Sequence, residues 1–153
     1  MADPSRANHT TAEAYWRHFL ESGIPVFLST IVVSEFCLKQ PIPKAILNSC
    51  ILLPFNWNDA LKAAELDFKK AGRTDSRYAL KDDVKITAQA AVQDAAWVIT
   101  DDSGSFFRYA RKLADDQIVL FQPIKLEDGF DLSQFQSGGQ RLLDLADSED
   151  IDF

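Results

Sequence analysis

Three acidic residues stand at positions from which they could act together. Glu35 lies on a predicted helix that follows an apolar run, Asp83 lies at the start of another helix, and Asp102 follows a short apolar strand. In open α/β sheets, side chains beyond the carboxyl ends of the strands line one crevice. Carboxylates packed that closely raise one another's pKa unless a divalent cation neutralises them. The pattern therefore indicates a site for Mg²⁺ or Mn²⁺, with hard oxygen ligands suited to phosphodiester hydrolysis, in which the metal generates hydroxide and shields the phosphate.

The stretch 80–107 contains the elements that must position two of these acids. Its first part is rich in Ala and other apolar residues of helical character, and Asp82 and Asp83 suit the N-terminus of that helix. The apolar run 96–99 is stopped by Thr-Asp-Asp-Ser-Gly, which is typical of a buried strand and a turn that leads into another helix. The unit is therefore helix, strand, helix, with Asp101 beside Asp102 after the strand.

The rest of the chain alternates between helices and single apolar strands. We predict helices at about 11–21, 30–38, 44–49, 58–71 and 105–114, and strands at 25–29, 50–55 and 117–121. Such alternation predicts an α/β fold with a parallel sheet covered by helices on both faces. The domain is expected to span residues 1–123, and residues 124–153 are expected to form an acidic C-terminal tail that is partly disordered.

Charge and cysteine content bound the class of protein. The net charge of −7 is concentrated in residues 124–153, which hold eight acidic and two basic residues, so the body carries only about −1 and could meet a nucleic acid. Cys37 and Cys50 lie in apolar surroundings and no secretory signal is visible, which favours buried thiols of a cytoplasmic protein over a disulfide. The longest apolar stretch is too short and too polar to span a membrane.

Three stretches together resemble the PIN domain nucleases, particularly the VapC-like toxin ribonucleases of type II toxin–antitoxin pairs. Residues 29–36, Ser-Thr-Ile-Val-Val-Ser-Glu-Phe, resemble the family's strand-to-helix segment with its Glu. Residues 83–88, Asp-Val-Lys-Ile-Thr-Ala, are similar to its Asp-x-x-Ile-x-Ala helix start. Residues 98–102, Val-Ile-Thr-Asp-Asp, are similar to its strand that ends in Thr-x-Asp. The match covers roughly residues 9–123.

The resemblance implies a three-layer fold, a parallel sheet flanked by helices, and a divalent-metal-dependent endoribonuclease acting on single-stranded RNA. Glu35, Asp83 and Asp102 would be the catalytic metal ligands, and Asp101 a further ligand. The metal would be Mg²⁺ or Mn²⁺, and an antitoxin protein and a second copy of the chain would be the partners. Basic residues that flank the expected crevice would meet RNA phosphates; they are Lys81, Lys85, Arg108 and Arg111.

One part of the family pattern is missing. The family begins with a central strand that ends in Asp, whereas residues 1–9 contain no apolar run, and Asp3 is their only acid. The strands on either side of the gap would then have unpaired backbone groups, each costing on the order of 1–3 kcal/mol if buried. Three sources could fill the gap: residues upstream of Met1, a strand donated by another chain, or a rearranged tail. Alternatively, the remaining strands pair directly.

Simpler interpretations remain open for every candidate. Glu35 could be a solvated acid on a helix, Asp83 a charge at a helix N-terminus, and Asp101 or Asp102 a cap for the helix that follows. The basic residues could form a solvated helix face. The second hypothesis for the whole chain is a catalytically impaired PIN-like module that binds RNA or protein. A phosphatase-like or receiver-like protein would need a nucleophilic Asp after a first strand, which the sequence lacks.

Overall fold

Within the part of the chain that the computed structural model describes, residues 8–71 and 81–136 without the side chains of 67–71, there are six helices and four short strands, and residues 133–136 add a helical turn. The helices are α1 (His9–Ser22), α2 (Thr30–Cys37), α3 (Lys44–Ser49), α4 (Trp57–Ala71), α5 (Asp82–Val92) and α6 (Ser105–Asp115). The strands are β1 (Val26–Ser29), β2 (Cys50–Leu53), β3 (Trp97–Thr100) and β4 (Gln122–Lys125), followed by a 3-10 turn at Leu126–Asp128. The predicted alternation of helices and strands is confirmed.

Local sequence explains where these helices begin and end. α1 ends at Gly23, whose φ of 65° lies in the left-handed region that glycine adopts without strain. α4 begins with a reciprocal cap: Asn56 Oδ1 accepts from the Asp59 backbone N–H, and Asp59 Oδ2 accepts from the Asn56 backbone N–H. α6 is strongly amphipathic, because residues at helical spacing are buried on one face, namely Phe106, Tyr109, Ala110 and Leu113.

The strands pair in parallel, as the sequence predicts, but in two separate sheets. β1 pairs with β2, with Val26 opposite Cys50, and β3 pairs with β4, with Trp97 opposite Gln122. Each sheet has two strands among the described residues. The molecule is therefore a mixed α/β protein with two small parallel sheets.

Two apolar clusters form the core and lie on opposite sides of β3. The larger cluster joins α4, α5 and α6 to Val119 and Phe121, and Val98 packs against it. The smaller cluster is built on Tyr15 and Phe19 of α1 with Ile124, and it includes Trp97 and Ile99 among its partly buried members. Successive residues of a strand point to opposite faces. Val98 therefore faces the larger cluster, Trp97 and Ile99 face the smaller one, and β3 has helices on both of its faces.

The last strand differs from the prediction. Residues 117–121 are not a strand; β4 begins at Gln122. Gln117 adopts a φ of 58° and the Ile118 N–H donates to the Leu113 carbonyl, so these residues close α6 instead of starting a ladder. The predicted boundary between domain and tail, at 123/124, falls inside β4, and Ile124 is buried in the smaller cluster. Residues 137–153 of the predicted tail, and Asp3, lie outside the described residues.

Cysteine placement also differs from the expectation. Both cysteines are free, but Cys37 is exposed and Cys50 is only partly covered. The expectation of burial is wrong because α2, which carries Cys37, buries none of its residues. Burial raises the pKa of the Cys50 thiol. Among the helices that the structure describes, none is long and apolar enough to cross a membrane.

Candidate functional site

Asp83 and Asp102 converge on one serine hydroxyl. Asp83 lies in the first turn of α5, Asp102 follows β3, and Ser105 begins α6. Ser105 Oγ lies 3.0 Å from Asp102 Oδ2 and 3.3 Å from Asp83 Oδ2. Two acids that are 19 positions apart along the chain thus lie within hydrogen-bond reach of the same atom, at the carboxyl end of β3. This is the edge at which the sequence predicts a ligand crevice.

The turn after β3 holds the Asp102 carboxylate firmly. The Gly104 backbone N–H donates to its Oδ1 at 2.8 Å, and the Phe106 N–H donates to its Oδ2 at 3.4 Å. The Ser105 hydroxyl is the largest cause that holds the pKa of Asp102 below its ordinary value. Desolvation opposes it, and the backbone N–H groups of Gly104 and Phe106 lower the pKa further. Asp102 therefore stays ionised, and it caps α6 while its carboxylate faces Asp83.

A glycine permits this close turn. A Cβ added at Gly104 would lie 3.2 Å from Asp102 Oδ1, which is tighter than ordinary van der Waals contact. Thr100 supports the same turn, because its Oγ1 accepts from the Asp102 backbone N–H at 3.0 Å. The Thr-Asp-Asp-Ser-Gly sequence thus fixes the direction of one carboxylate.

The neighbouring acid Asp82 has a different role from Asp83. Lys85 Nζ lies 3.0 Å from Asp82 Oδ1, a pair spaced i,i+3 on the surface of α5. Within the described part of the chain, neither Asp83 nor Asp102 makes an ion pair. Of the two acids at the start of α5, Asp82 is thus neutralised by a lysine, and Asp83 faces the second carboxylate.

Asp101 is exposed and linked to the start of α1. It accepts a hydrogen bond of 2.9 Å from Asn8 Nδ2 across 93 positions of sequence. Asn8 itself has a φ of 71°, a left-handed conformation that Asn tolerates better than most residues. This contact places the beginning of α1 beside the carboxyl end of β3.

Glu35 is not part of the carboxylate pair. It is exposed on α2, in a helix without a buried residue. Among the side chains of residues 8–66 and 81–136, no three of the types His, Cys, Asp or Glu are placed so that they could hold one metal ion. Of the three acids that the sequence predicts to gather, the structure brings together Asp83 and Asp102.

The four basic candidates are spread over two helices. Lys81 is exposed just before α5, and Lys85 is partly exposed and paired with Asp82. Arg108 and Arg111 lie on the solvent side of α6, and Arg111 Nε is 3.1 Å from Asp115 Oδ1. Exposed ion pairs of this kind are weak, so Lys85 and Arg111 remain accessible to a stronger anion.

A buried glutamine that the sequence analysis missed ties β1 and β2 to α5. Ser29 Oγ donates to Gln89 Oε1 at 2.5 Å, and Gln89 Nε2 donates to the Leu53 carbonyl at 2.9 Å. Gln89 is only 2% exposed. The signal was a single amide within the run Ala88-Gln89-Ala90-Ala91, where a polar side chain on an apolar helix face requires a partner.

The donor set fits a hard divalent cation. Mg²⁺ is usually bound through one or two carboxylates, with its other positions left to water and substrate phosphates. Asp83 and Asp102 supply two such groups, and the single hydroxyl hydrogen of Ser105 can be donated to only one of them at a time.

Comparison of the chain with family models, with characterised proteins and with solved structures finds no match.

Proposed function

We propose that this protein is a divalent-metal-dependent endoribonuclease of the PIN type, the toxin of a type II toxin–antitoxin pair. The observation that carries the proposal is the convergence of Asp83 and Asp102 on Ser105 at the carboxyl end of a parallel strand. The resemblance of residues 29–36, 83–88 and 98–102 to PIN motifs supports the same reaction class. The three-layer sheet of that family is part of the proposal.

Each residue of the pair has a distinct part. Asp83 and Asp102 would hold Mg²⁺ or Mn²⁺, which supplies Lewis acidity and charge neutralisation for phosphodiester hydrolysis. Ser105 and the amide of Gly104 orient Asp102 and keep it ionised. Asp101, adjacent and exposed, is available as a further oxygen donor. Lys81 and Arg108 would attract the phosphates of single-stranded RNA to this edge.

The pair of acids at the start of α5 offers a matched test. Asp83→Asn should lower cleavage of single-stranded RNA by about 100-fold or more and weaken Mn²⁺ binding, because a ligand of the cation is lost. Asp82→Asn removes the same charge one residue away, where Lys85 already neutralises it, and should change either quantity less than about threefold. Asp102→Asn should lower cleavage and Mn²⁺ binding as Asp83→Asn does, because it also removes a ligand of the cation. The variant should keep its fold, since the amide oxygen can still cap α6.

Full-length protein should be assayed for cleavage with Mn²⁺ titrated, and for metal binding by calorimetry. Circular dichroism should check that each variant keeps its fold. Equal activities for Asp82→Asn and Asp83→Asn, or cleavage that does not depend on the metal, would exclude this site. Glu35→Gln, measured in the same assays, should have an effect below about tenfold, because the structure does not place Glu35 with the pair.

The second candidate function is a PIN-like module that binds a protein partner. Exposed apolar side chains favour it: Trp57 and Leu61 are 76% and 55% exposed one helical turn apart on α4. Exposed apolar surface of this kind marks interaction sites when it is contiguous. An antitoxin or a second copy would suit either candidate. Absence of Mn²⁺ affinity together with dimerisation that Trp57→Ser abolishes would favour the binding module.

A further inference from the structure

A cavity of about 500 Å³ separates the two sheets. Every residue of β1 and three consecutive residues of β3, Trp97 to Ile99, line it. Of the described residues of β2 and β4, only Leu53 does so. Since successive strand residues point to opposite faces, consecutive lining residues mean that the backbone edge itself borders the cavity. The cavity is thus a slot between two strand edges, on the sides away from β2 and β4.

The strands that border the slot have the composition of inner strands. Val26–Ser29 and Trp97–Thr100 are almost continuously apolar, as strands buried on both faces are. β4 contains Pro123, which lacks a backbone N–H and is confined to edge positions. Among the described strands, however, β1 pairs only with β2 and β3 only with β4. Both inner strands therefore have one edge that no other described strand occupies.

The slot has an apolar end and a polar end. Val26 and Trp97, the first residues of β1 and β3, pack with Phe19 in the smaller cluster, so both strands start at the same end of the slot. At the other end, Ser29 and Gln89 border the cavity with their buried hydroxyl and amide groups. A strand that runs parallel to β1 and β3 would suit the slot if it began apolar and ended polar.

The chain itself supplies such a segment from the correct end. The described residues end at Gln136, and the ring centroid of Phe135 lies 4.9 Å from that of Trp97 and 5.4 Å from that of Phe19. Seventeen residues follow. Residues 137–141, Ser-Gly-Gly-Gln-Arg, can reach roughly 17 Å when extended. Residues 142–145, Leu-Leu-Asp-Leu, then form a four-residue run, the length of β1 and β3, that begins with two leucines and has its one polar residue, Asp144, in the second half.

We propose that residues 142–145 dock in the slot as a parallel strand, which joins the two sheets into one with the order β2, β1, 142–145, β3, β4. The segment pairs its backbone with the free edges of β1 and β3 and covers their apolar side chains. Residues 1–7 are a poorer occupant, since they contain Pro4 and only three apolar residues. The proposal concerns the architecture alone and does not depend on a nuclease activity.

Hydrogen exchange followed by mass spectrometry on the full chain tests the proposal. The amides of 142–145, β1 and β3 should be protected to the same extent at low and high protein concentration. Leu142→Asn/Leu143→Asn should lower this protection about tenfold or more in all three segments. The matched control, Ile151→Asn/Phe153→Asn, removes two apolar side chains from the same tail and should change it less than about twofold.

The amides of 109–113 in α6 serve as a control for loss of the whole fold. They lie in the larger cluster, so they should stay protected from exchange in both variants if only the docked strand is released. Three results would each overturn the proposal. Protection of 142–145 that rises with protein concentration would assign the strand to a second copy. Protected edges with unprotected residues 142–145 would assign the slot to another occupant. Unprotected edges in the unmodified chain would show an open slot.

Discussion

Two regions of this molecule differ sharply in how they are packed. The packed half, residues 82–125, contributes most of the larger core cluster through α5, α6 and the residues before β4. The open half, residues 26–53, contains two helices, α2 and α3, with no buried residue, and its one buried residue, Ser29, is still 9% exposed. Both halves contain the same motif of parallel strands joined by helices.

The difference has a consequence for the site. Asp83 and Asp102 belong to the packed half, where a turn and a helix start hold their carboxylates in contact with one hydroxyl. Glu35 belongs to the open half and is exposed. Precise placement of a charged side chain requires packed elements beneath it. The proposed site is therefore built where the core is built, and the open half is where a further strand would add most.

The largest expected effect compares two leucines. Leu113→Ala in the packed half should lower the free energy of unfolding by about 2–5 kcal/mol, because Leu113 is 2% exposed and its removal leaves a cavity. Leu52→Ala in the open half should cost about 0.5 kcal/mol or less, since Leu52 is 45% exposed. Urea unfolding followed by circular dichroism measures both. Equal costs would show that Leu52 is buried in solution and would contradict the contrast between the two halves.

The elements that carry the proposed site could be predicted from the sequence. The helix, strand and helix of 80–107 could be predicted because alternation of apolar periodicity with Thr-Asp-Asp-Ser-Gly is a local signal. The proximity of Asp83 and Asp102 followed from the rule that polar residues gather beyond the carboxyl ends of strands. The structure does not gather Glu35 with them among the described residues, and Glu35 is exposed on a helix without a buried residue.

The last strand could not be predicted for a different reason. Residues 118–121 look like a strand because they are apolar, but Val119 and Phe121 are buried against α6 without a ladder partner. The true strand contains Pro123, which argues against a strand in sequence and is tolerated here because β4 is at an edge. Hydrophobicity reports burial, whereas strand pairing depends on neighbours distant in the chain.

A smaller effect is expected where the two halves are joined. Gln89→Ala should lower the free energy of unfolding by about 1–3 kcal/mol, because Ser29 and the Leu53 carbonyl each lose a buried partner. Gln93→Ala is the matched control: Gln93 follows the last residue of the same helix and is exposed, so its loss should cost about 0.5 kcal/mol or less. Hydrogen exchange should show the loss at β1 before it appears in α6. An equal loss of protection in both regions would mean that the open half does not unfold independently.

The smallest expected effect concerns the acid that the packed half holds most firmly. Ser105→Ala should raise the pKa of Asp102 towards its ordinary value, because the Ser105 hydroxyl is the largest cause of its lowering. A carboxyl whose pKa is lowered on folding stabilises the fold above its unfolded pKa and loses that contribution as the pH falls through the folded pKa. In the variant this contribution should be smaller, and its loss should be complete at a higher pH. Carbon-13 NMR titration of the carboxyl measures the pKa directly, with Ser103→Ala as the control, since Ser103 contacts Glu127 instead. An Asp102 pKa that does not change in Ser105→Ala would mean that the backbone donors of Gly104 and Phe106 alone hold the carboxylate, and that Ser105 is free to face Asp83.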